Sequence, residues 1–292
     1  MSKSFWVVAD VACDLPASYV EAHEKLIIMP MPYQSSEQEF IYKTGDEVNM
    51  PAFYESLKGG AVYTTTQLNI DAYCDVFKSI VEKGEGLICI PLSSGISGSY
   101  NNAMVAMEKT KKKYPEAKIA VCDSKSATLG YGLLIHHLLE ERKKGIDIET
   151  AENLVNTMVP HLIHYFTVND LKCLYRGGRL SKSSAYLGSM LRIKPVLHVN
   201  EEGRLQLLEK VQGRKRSIKT LAQKVESSIN PKSGQAIFIS HADCEEDALL
   251  LKSYLQETLP DIKDYLIAQL SAIIGSHSGP GTLAVFFLGD KR

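Results

Sequence analysis

The chain has 292 residues, 45% hydrophobic and 23% charged, with 33 Lys and Arg against 34 Asp and Glu. That length accommodates about two domains, and the composition is that of an ordinary globular protein. A formal net charge of -1 excludes a global electrostatic attraction to nucleic acid or to an anionic membrane surface.

The opening "MSKSFWVVAD" carries an apolar stretch too short for a signal peptide, and Asp10 ends it. No apolar run approaches the ~20 residues of a membrane span. The six cysteines (Cys13, Cys74, Cys89, Cys122, Cys173 and Cys244) contain no CxxC pair. They are expected to be reduced thiols in a cytoplasm, with no disulfide frame and no metal site.

Residues 5–9 read as a buried strand and 26–31 as a second, ended by Pro32. Residues 86–90 and 118–121 give two more. Helical periodicity covers 51–57, 70–82, 99–112 and 128–143 between and after them. Continuous apolar strands separated by helices predict a parallel sheet with both faces covered. Beyond residue 150 the pattern changes. A helix over 151–158 and a strand over 161–168 precede a hairpin, 194–199 and 205–211, whose turn ends at Gly203. A helix (217–229), a strand (236–240), a helix (245–259), and strands at 264–269 and 282–288 follow. We therefore expect an α/β protein with an N-terminal parallel-sheet domain over 1–160 and a C-terminal mixed-sheet domain over 161–292. The basic run at 109–114 reads as a solvated helix end, where lysines complement the dipole.

Four clusters stand out. "SSGISGS" at 93–99 joins the strand over 86–90 to a helix, at the strand end where α/β sheets bind ligands. Serine hydroxyls and the N–H groups of a helix start would suit a small anion without a cation; the alternative is that one serine caps the helix. "TTTQLN" at 64–69 either caps the next helix through Thr66 or Asn69, or adds hydroxyls to a site. "GSHSGPG" at 275–281 sets His277 in a glycine-rich loop, whereas His136, His137, His161 and His164 fall on predicted elements and read as packing or surface residues. In "YRGGRLSKSSAYLGSMLRIK" at 175–194, Arg176, Arg179, Lys182, Arg192 and Lys194 surround a double glycine and would face a phosphate or an acidic partner. The GxSxG elbow, the Walker loop, GxGxxG and HExxH are all missing. The chain has the parts of an anion pocket without those of a recognisable catalyst.

Taken in order, these segments resemble the DegV family: Asp10 with Asp14-Leu15, Thr65-Thr66-Gln67, Ser93 to Ala103, Asp123-Ser124, "GGRLS", "KPVL" and "IGSHSGPG". The resemblance implies two α/β domains holding one long-chain fatty acid in a tunnel between them. It also implies a bacterial fatty acid kinase, in which a separate ATP-dependent subunit phosphorylates the bound carboxylate and the acyl phosphate feeds phospholipid synthesis. By resemblance, Thr65 and Ser97 hold the carboxylate with Thr66, Ser94, the Gly98 N–H and Gly279 nearby. His277 lies beside it to assist phosphoryl transfer, and Arg176, Arg179 and Arg214 face the partner or the phosphate. No cofactor is implied, and a monomer is the simplest state. Val11, Leu68 and Gln212 depart from the family pattern, the last standing where an arginine is common, with Arg214 or Arg216 as substitutes. The other readings are a serine hydrolase or acyltransferase using Ser97 with His277, and a lipid-responsive sensor.

Overall fold

The computed structural model describes residues 4–46, 48–180, 193–262 and 264–292; Lys182 and Arg192 of the basic cluster lie outside the described residues. The first half runs β1 (Trp6–Asp10), α1 (Ala17–Glu21), β2 (Leu26–Met29), β3 (Met31–Gln34), β4 (Glu39–Tyr42), α2 (Met50–Lys58), β5 (Thr64–Thr65), α3 (Ile70–Val81), β6 (Leu87–Cys89), α4 (Ser99–Lys113), β7 (Ile119–Val121), α5 (Leu129–Lys143) and α6 (Ile148–Met158). The strands β2, β1, β6 and β7 form a parallel sheet in that order. Val7, Val8, Leu87, Ile88 and Cys89 are buried, because helices cover both faces.

Pro32 does not end the second strand. Pro30 separates β2 from β3, and Pro32 lies inside β3, opposite Ile41, with its carbonyl accepting from the Thr66 N–H at 3.1 Å. A small antiparallel sheet, β4-β3-β5, results. Asn69 caps α3, its Oδ1 accepting from the Ala72 N–H at 2.8 Å.

The second half runs β8 (Leu162–Thr167), α7 (Lys172–Arg176), β9 (Ile193–Val199), β10 (Leu205–Gln212), α8 (Arg214–Ser228), β11 (Ala236–His241), α9 (Glu245–Thr258), β12 (Asp264–Gln269), α10 (Ala272–Ser278) and β13 (Leu283–Leu288). They form a six-stranded sheet ordered β10-β9-β8-β13-β11-β12, with β11–β12 parallel and the other pairs antiparallel. The fold is thus α/β with one parallel and one mixed sheet, as the residue pattern predicts.

Helix α5 joins the two sheets. Leu133, Leu134, Ile135, Leu138 and Leu139 bury nearly its whole circumference, the pattern of a helix covered on all sides. It packs against β8, β11 and β13 and against the turn after β1. One apolar cluster accordingly runs from Val7 through Leu133 to Phe166 and Leu197.

The β9–β10 turn supplies a second join. Gly203 takes φ +76°, and its carbonyl accepts from Ser93 Oγ at 3.0 Å. A Cβ on Gly95 would stand 2.6 Å from the carbonyl oxygens of Glu202 and Gly203. Those atoms belong to backbone and cannot swing aside. Gly95→Ala is therefore expected to destabilise the protein by about 1–3 kcal/mol, the usual range for an overpacked contact. Urea denaturation measures it, and an unchanged midpoint would contradict the seating of this turn.

Candidate functional site

In the parallel sheet the chain leaves β1 toward β2 on one side, while β6 and β7 lie on the other. The C-terminal ends of β1 and β6 therefore diverge at a switch point, where such sheets place ligands. Asp10 anchors this point: its Oδ2 accepts from the Leu92 N–H at 3.1 Å, and its Oδ1 from the Ala12 N–H and the Tyr131 hydroxyl at 3.2 and 2.5 Å.

The serine loop that follows uses its donors internally. Ser93 N–H donates to Ser126 O, Ser94 N–H to Asp123 Oδ1, Gly95 N–H to Ser93 Oγ, Ile96 and Ser97 N–H to Ser93 O, and Ser99 N–H to Ser97 Oγ. The open backbone cradle expected from sequence is thus largely closed, because the loop needs these bonds to hold its own turn. Gly98 occupies the N-cap of α4, which has no side-chain cap.

Beside this loop lies a cavity of about 340 Å³, within the range of small-molecule sites. Its floor is the inner face of the six-stranded sheet. Side chains alternate across a strand, so Phe166 on β8, Ala284 and Phe286 on β13, Val199 on β9 and Leu205 on β10 reach the same face. Leu92, Ile273 and Ile274 line it from other elements.

One region of the wall is polar. Thr65, Thr66, Gln67, Ser97, Arg179 and His277 all line the cavity, and contacts link them in a ring. Thr65 Oγ1 is 2.7 Å from His277 Nε2. Gly177 packs on His277 Nδ1. Arg179 donates through Nη1 to Gly177 O at 2.6 Å and through Nε to Ile96 O at 3.1 Å. Gly98 packs on the Gln67 amide, and Ser97 Oγ lies 3.0 Å from Ser99 Oγ.

His277 sits in the last turn of α10, not in a loop; Ser271 caps that helix through the Ile274 N–H. Burial first, then the positive charges of Arg179 and Arg176, push its pKa down to about 4, so the imidazole is neutral near pH 7. Its Nδ1 is buried without a partner. The Arg179 guanidinium is half-buried and has no carboxylate partner among the described residues.

Ser94 and Gly279 do not line this cavity, and neither do Arg176 and Arg214. Ser94 Oγ accepts from Lys125 Nζ at 2.9 Å. Gly279, at φ +78°, closes α10 against Cys173 Sγ. Arg176 is exposed at the end of α7, and Arg214 pairs with Asp247 at 2.8 Å. The sequence reading missed Gln67, Thr128, His164, Ser278 and Thr282 as lining residues. A histidine interrupting apolar β8 was the available signal for one of them.

Asp14 lies against the start of α10 and does not line the cavity. Its Oδ1 accepts from the Ser271 N–H at 2.9 Å, and its Oδ2 is buried without a partner. Burial raises its pKa to about 7, against the lowering bonds from Ser271 and Thr128. A carboxyl whose folded pKa exceeds its unfolded value of ~3.9 contributes stability below that value, and this is lost as pH rises through the folded pKa. Asp14→Asn should thus gain stability relative to the unsubstituted protein between about pH 4 and 7, with the gap level above that. Melting temperatures of the two proteins across this window test it; a constant gap contradicts it.

The DegV family model matches residues 4–290. The chain belongs to the DegV family. A DegV domain-containing protein of Clostridium perfringens is 39% identical over 290 residues, covering 99% of both chains. Among solved structures, a fatty acid binding DegV family protein from Streptococcus agalactiae is similar at a TM-score of 0.85 and 26% identity, over 98% of this chain and 99% of that one. The Fatty Acid Kinase (Fak) B3 protein of Streptococcus pneumoniae, loaded with linoleic acid, is similar in fold at a TM-score of 0.85 and 22% identity, over 98% of this chain and all of that one. Among the described residues no helix is long and apolar enough to cross a membrane.

Proposed function

We propose that this DegV protein binds a long-chain fatty acid in the cavity and presents its carboxylate to a separate ATP-dependent kinase subunit for acyl-phosphate formation. The observation that carries the reading is a half-buried guanidinium, Arg179, with no carboxylate partner among the described residues, at the polar wall of an otherwise apolar cavity. A charge removed from water needs a counter-charge, and a fatty acid carboxylate supplies one while its tail fills the apolar remainder. Burial of the tail contributes about 0.8 kcal/mol per CH₂. The fatty acids held by the Streptococcus agalactiae and Streptococcus pneumoniae proteins support the ligand class, and the name of the second supports a kinase partner.

In this reading Thr65 and Ser97 donate to the carboxylate, with Thr66 and Gln67 at the rim. Neutral His277 orients Thr65 and lies beside the oxygen that would accept phosphate. Arg176 is exposed one turn away, where a partner or an incoming phosphate can reach it. Ser94, Gly279 and Arg214 are engaged elsewhere and take no direct part. The role is that of a carrier. Ser97 and His277 are not bonded to each other, and the Nδ1 of His277 meets no carboxylate among the described residues, so the geometry of a triad is not assembled.

Native mass spectrometry of protein purified from cells is expected to show one acyl chain per polypeptide. Protein that is empty and also rejects oleate and palmitate would end this reading.

A further inference from the structure

Helix α10 carries His277 but spans only seven residues, and a helix that short takes its position from what it packs against. Two bonds hold its start: the Tyr54 hydroxyl donates to Leu270 O at 2.9 Å, and the Ser271 N–H donates to Asp14 Oδ1 at 2.9 Å. One turn on, Gly275 is buried against α2. A Cβ there would stand 2.7 Å from the Tyr54 hydroxyl oxygen and 3.1 Å from Phe53 Cε1. A glycine inside a helix weakens it; here it lets two aromatic rings lie directly on the helix backbone. At 3.6 residues per turn, Gly275 and His277 point about 200° apart. Ile273, Ile274, His277 and Ser278 accordingly line the cavity, and Gly275 does not. Helix α10 is held between α2 on one side and the cavity on the other.

The same α2 reaches the partner of His277. Thr65 stands opposite Tyr33 in the β3–β5 pair, and the Tyr33 ring meets Phe53 edge-on, with centroids 6.1 Å apart. Tyr63, immediately before β5, has its ring 4.9 Å from that of Phe53 and its hydroxyl 3.0 Å from Ser56 Oγ. Adjacent residues of α2 thus brace the two ends of the Thr65–His277 contact, Phe53 the threonine strand and Tyr54 the histidine helix. Both are buried, and neither lines the cavity.

We infer that Tyr54 is a positioning residue for the headgroup site: packed on Gly275, it seats α10 so that His277 Nε2 meets Thr65 Oγ1, 2.7 Å away. This rests on the fatty-acid reading of the cavity, in which Thr65 donates to the carboxylate. The seating leaves no slack. Ordinary contact begins near 3.4 Å, so a methyl at position 275 forces α10 or the ring to give by about 0.7 Å (3.4 − 2.7 = 0.7). A shift of that size along the Thr65–His277 contact breaks or overpacks a hydrogen bond of 2.7 Å. The hydroxyl of Tyr54 is at once the donor that fixes the start of α10 and the atom that fixes its distance from α2.

The test compares Tyr54→Phe, Gly275→Ala and the double variant, each delipidated, by two readouts: the ring nitrogen resonances of His277 in NMR, and the affinity for oleate in calorimetric titration. Thr65→Val supplies the resonance of an imidazole without this bond. Gly275→Ala is expected to move the Nε2 resonance most of the way to that position and to weaken oleate about tenfold, the effect of losing one hydrogen bond. Tyr54→Phe, which loses only an oxygen, should move both readouts the same way by less. In the double variant the methyl enters the space of the missing hydroxyl, and both readouts return from the Gly275→Ala values to those of Tyr54→Phe alone. Effects that simply add in the double variant overturn the inference, as does a folded Gly275→Ala protein with either readout unchanged. If Gly275→Ala does not fold, Tyr54→Phe decides alone, and an unmoved Nε2 resonance there overturns the inference. A parent protein that refuses oleate overturns the carrier reading, while the resonances, recorded without lipid, still decide whether Tyr54 seats His277.

Discussion

Ala284→Phe is expected to expel the bound chain while leaving the protein folded. Ala284 is buried on β13, lines the cavity and stands between Phe166 and Ser240 across the neighbouring strands. A phenyl ring there points into the cavity, and phenylalanine suits a central strand at least as well as alanine. The ring displaces on the order of four methylenes of the ligand, at about 0.8 kcal/mol each. The loss, roughly 3 kcal/mol, is over a hundredfold in affinity. The delipidated variant should melt at the same temperature as the parent or above it, since the added ring fills space that is otherwise empty. Lipid extraction and thermal denaturation together decide the matter. Unchanged acyl content in a folded variant would mean that the chain does not cross this face of the sheet; a fall in both readouts would mean that the site has no room to spare for the ring.

The parts of this arrangement that were legible from residues are those with long periodic signals. The parallel strands appear as uninterrupted apolar runs because both sheet faces are covered, and α3, α4, α5, α8 and α9 each show enough turns to declare themselves. Short elements escaped. β5 is two residues long, and α7 and α10 span five and seven, too few to establish a period. That is why His277 reads as a loop residue: its glycine and serine neighbours mask the helix that Ser271 starts. The hydroxyl clusters were visible, but their bonding was not. Ser97 lines the cavity and Ser94, three residues earlier, does not, a distinction set by Lys125 and Asp123 from a distant strand end. The serine loop also looked able to hold an anion without a cation. The cation is present, but Arg179 is supplied from 83 residues beyond Ile96, and only packing brings the two together.

Arg179→Met tests that cation. The tight turn at Gly177 and Gly178, the latter at φ +70°, folds the chain back so that the Arg179 and Leu180 N–H groups return to Leu174 O. The side chain is thereby directed inward, where its bonds to Ile96 O and Gly177 O leave further guanidinium N–H groups for a ligand. Methionine keeps the apolar length of the side chain and removes the charge. A charge-assisted hydrogen bond is worth about 1.5–3 kcal/mol, so retention of a fatty acid should fall roughly 10- to 150-fold. A second readout separates a lost headgroup contact from a distorted site. Arg179 is the largest charged contributor, after burial, to the depressed pKa of His277. Removing it should raise that pKa from about 4 toward, though not to, its ordinary value, because burial remains. Titration of the His277 ring by NMR in delipidated protein follows this directly. An upward shift with unchanged lipid retention would place the carboxylate away from Arg179. Weakened retention without the shift would mean that the guanidinium does not face the imidazole, and the polar ring linking Thr65, His277 and Arg179 would have to be abandoned as the headgroup site.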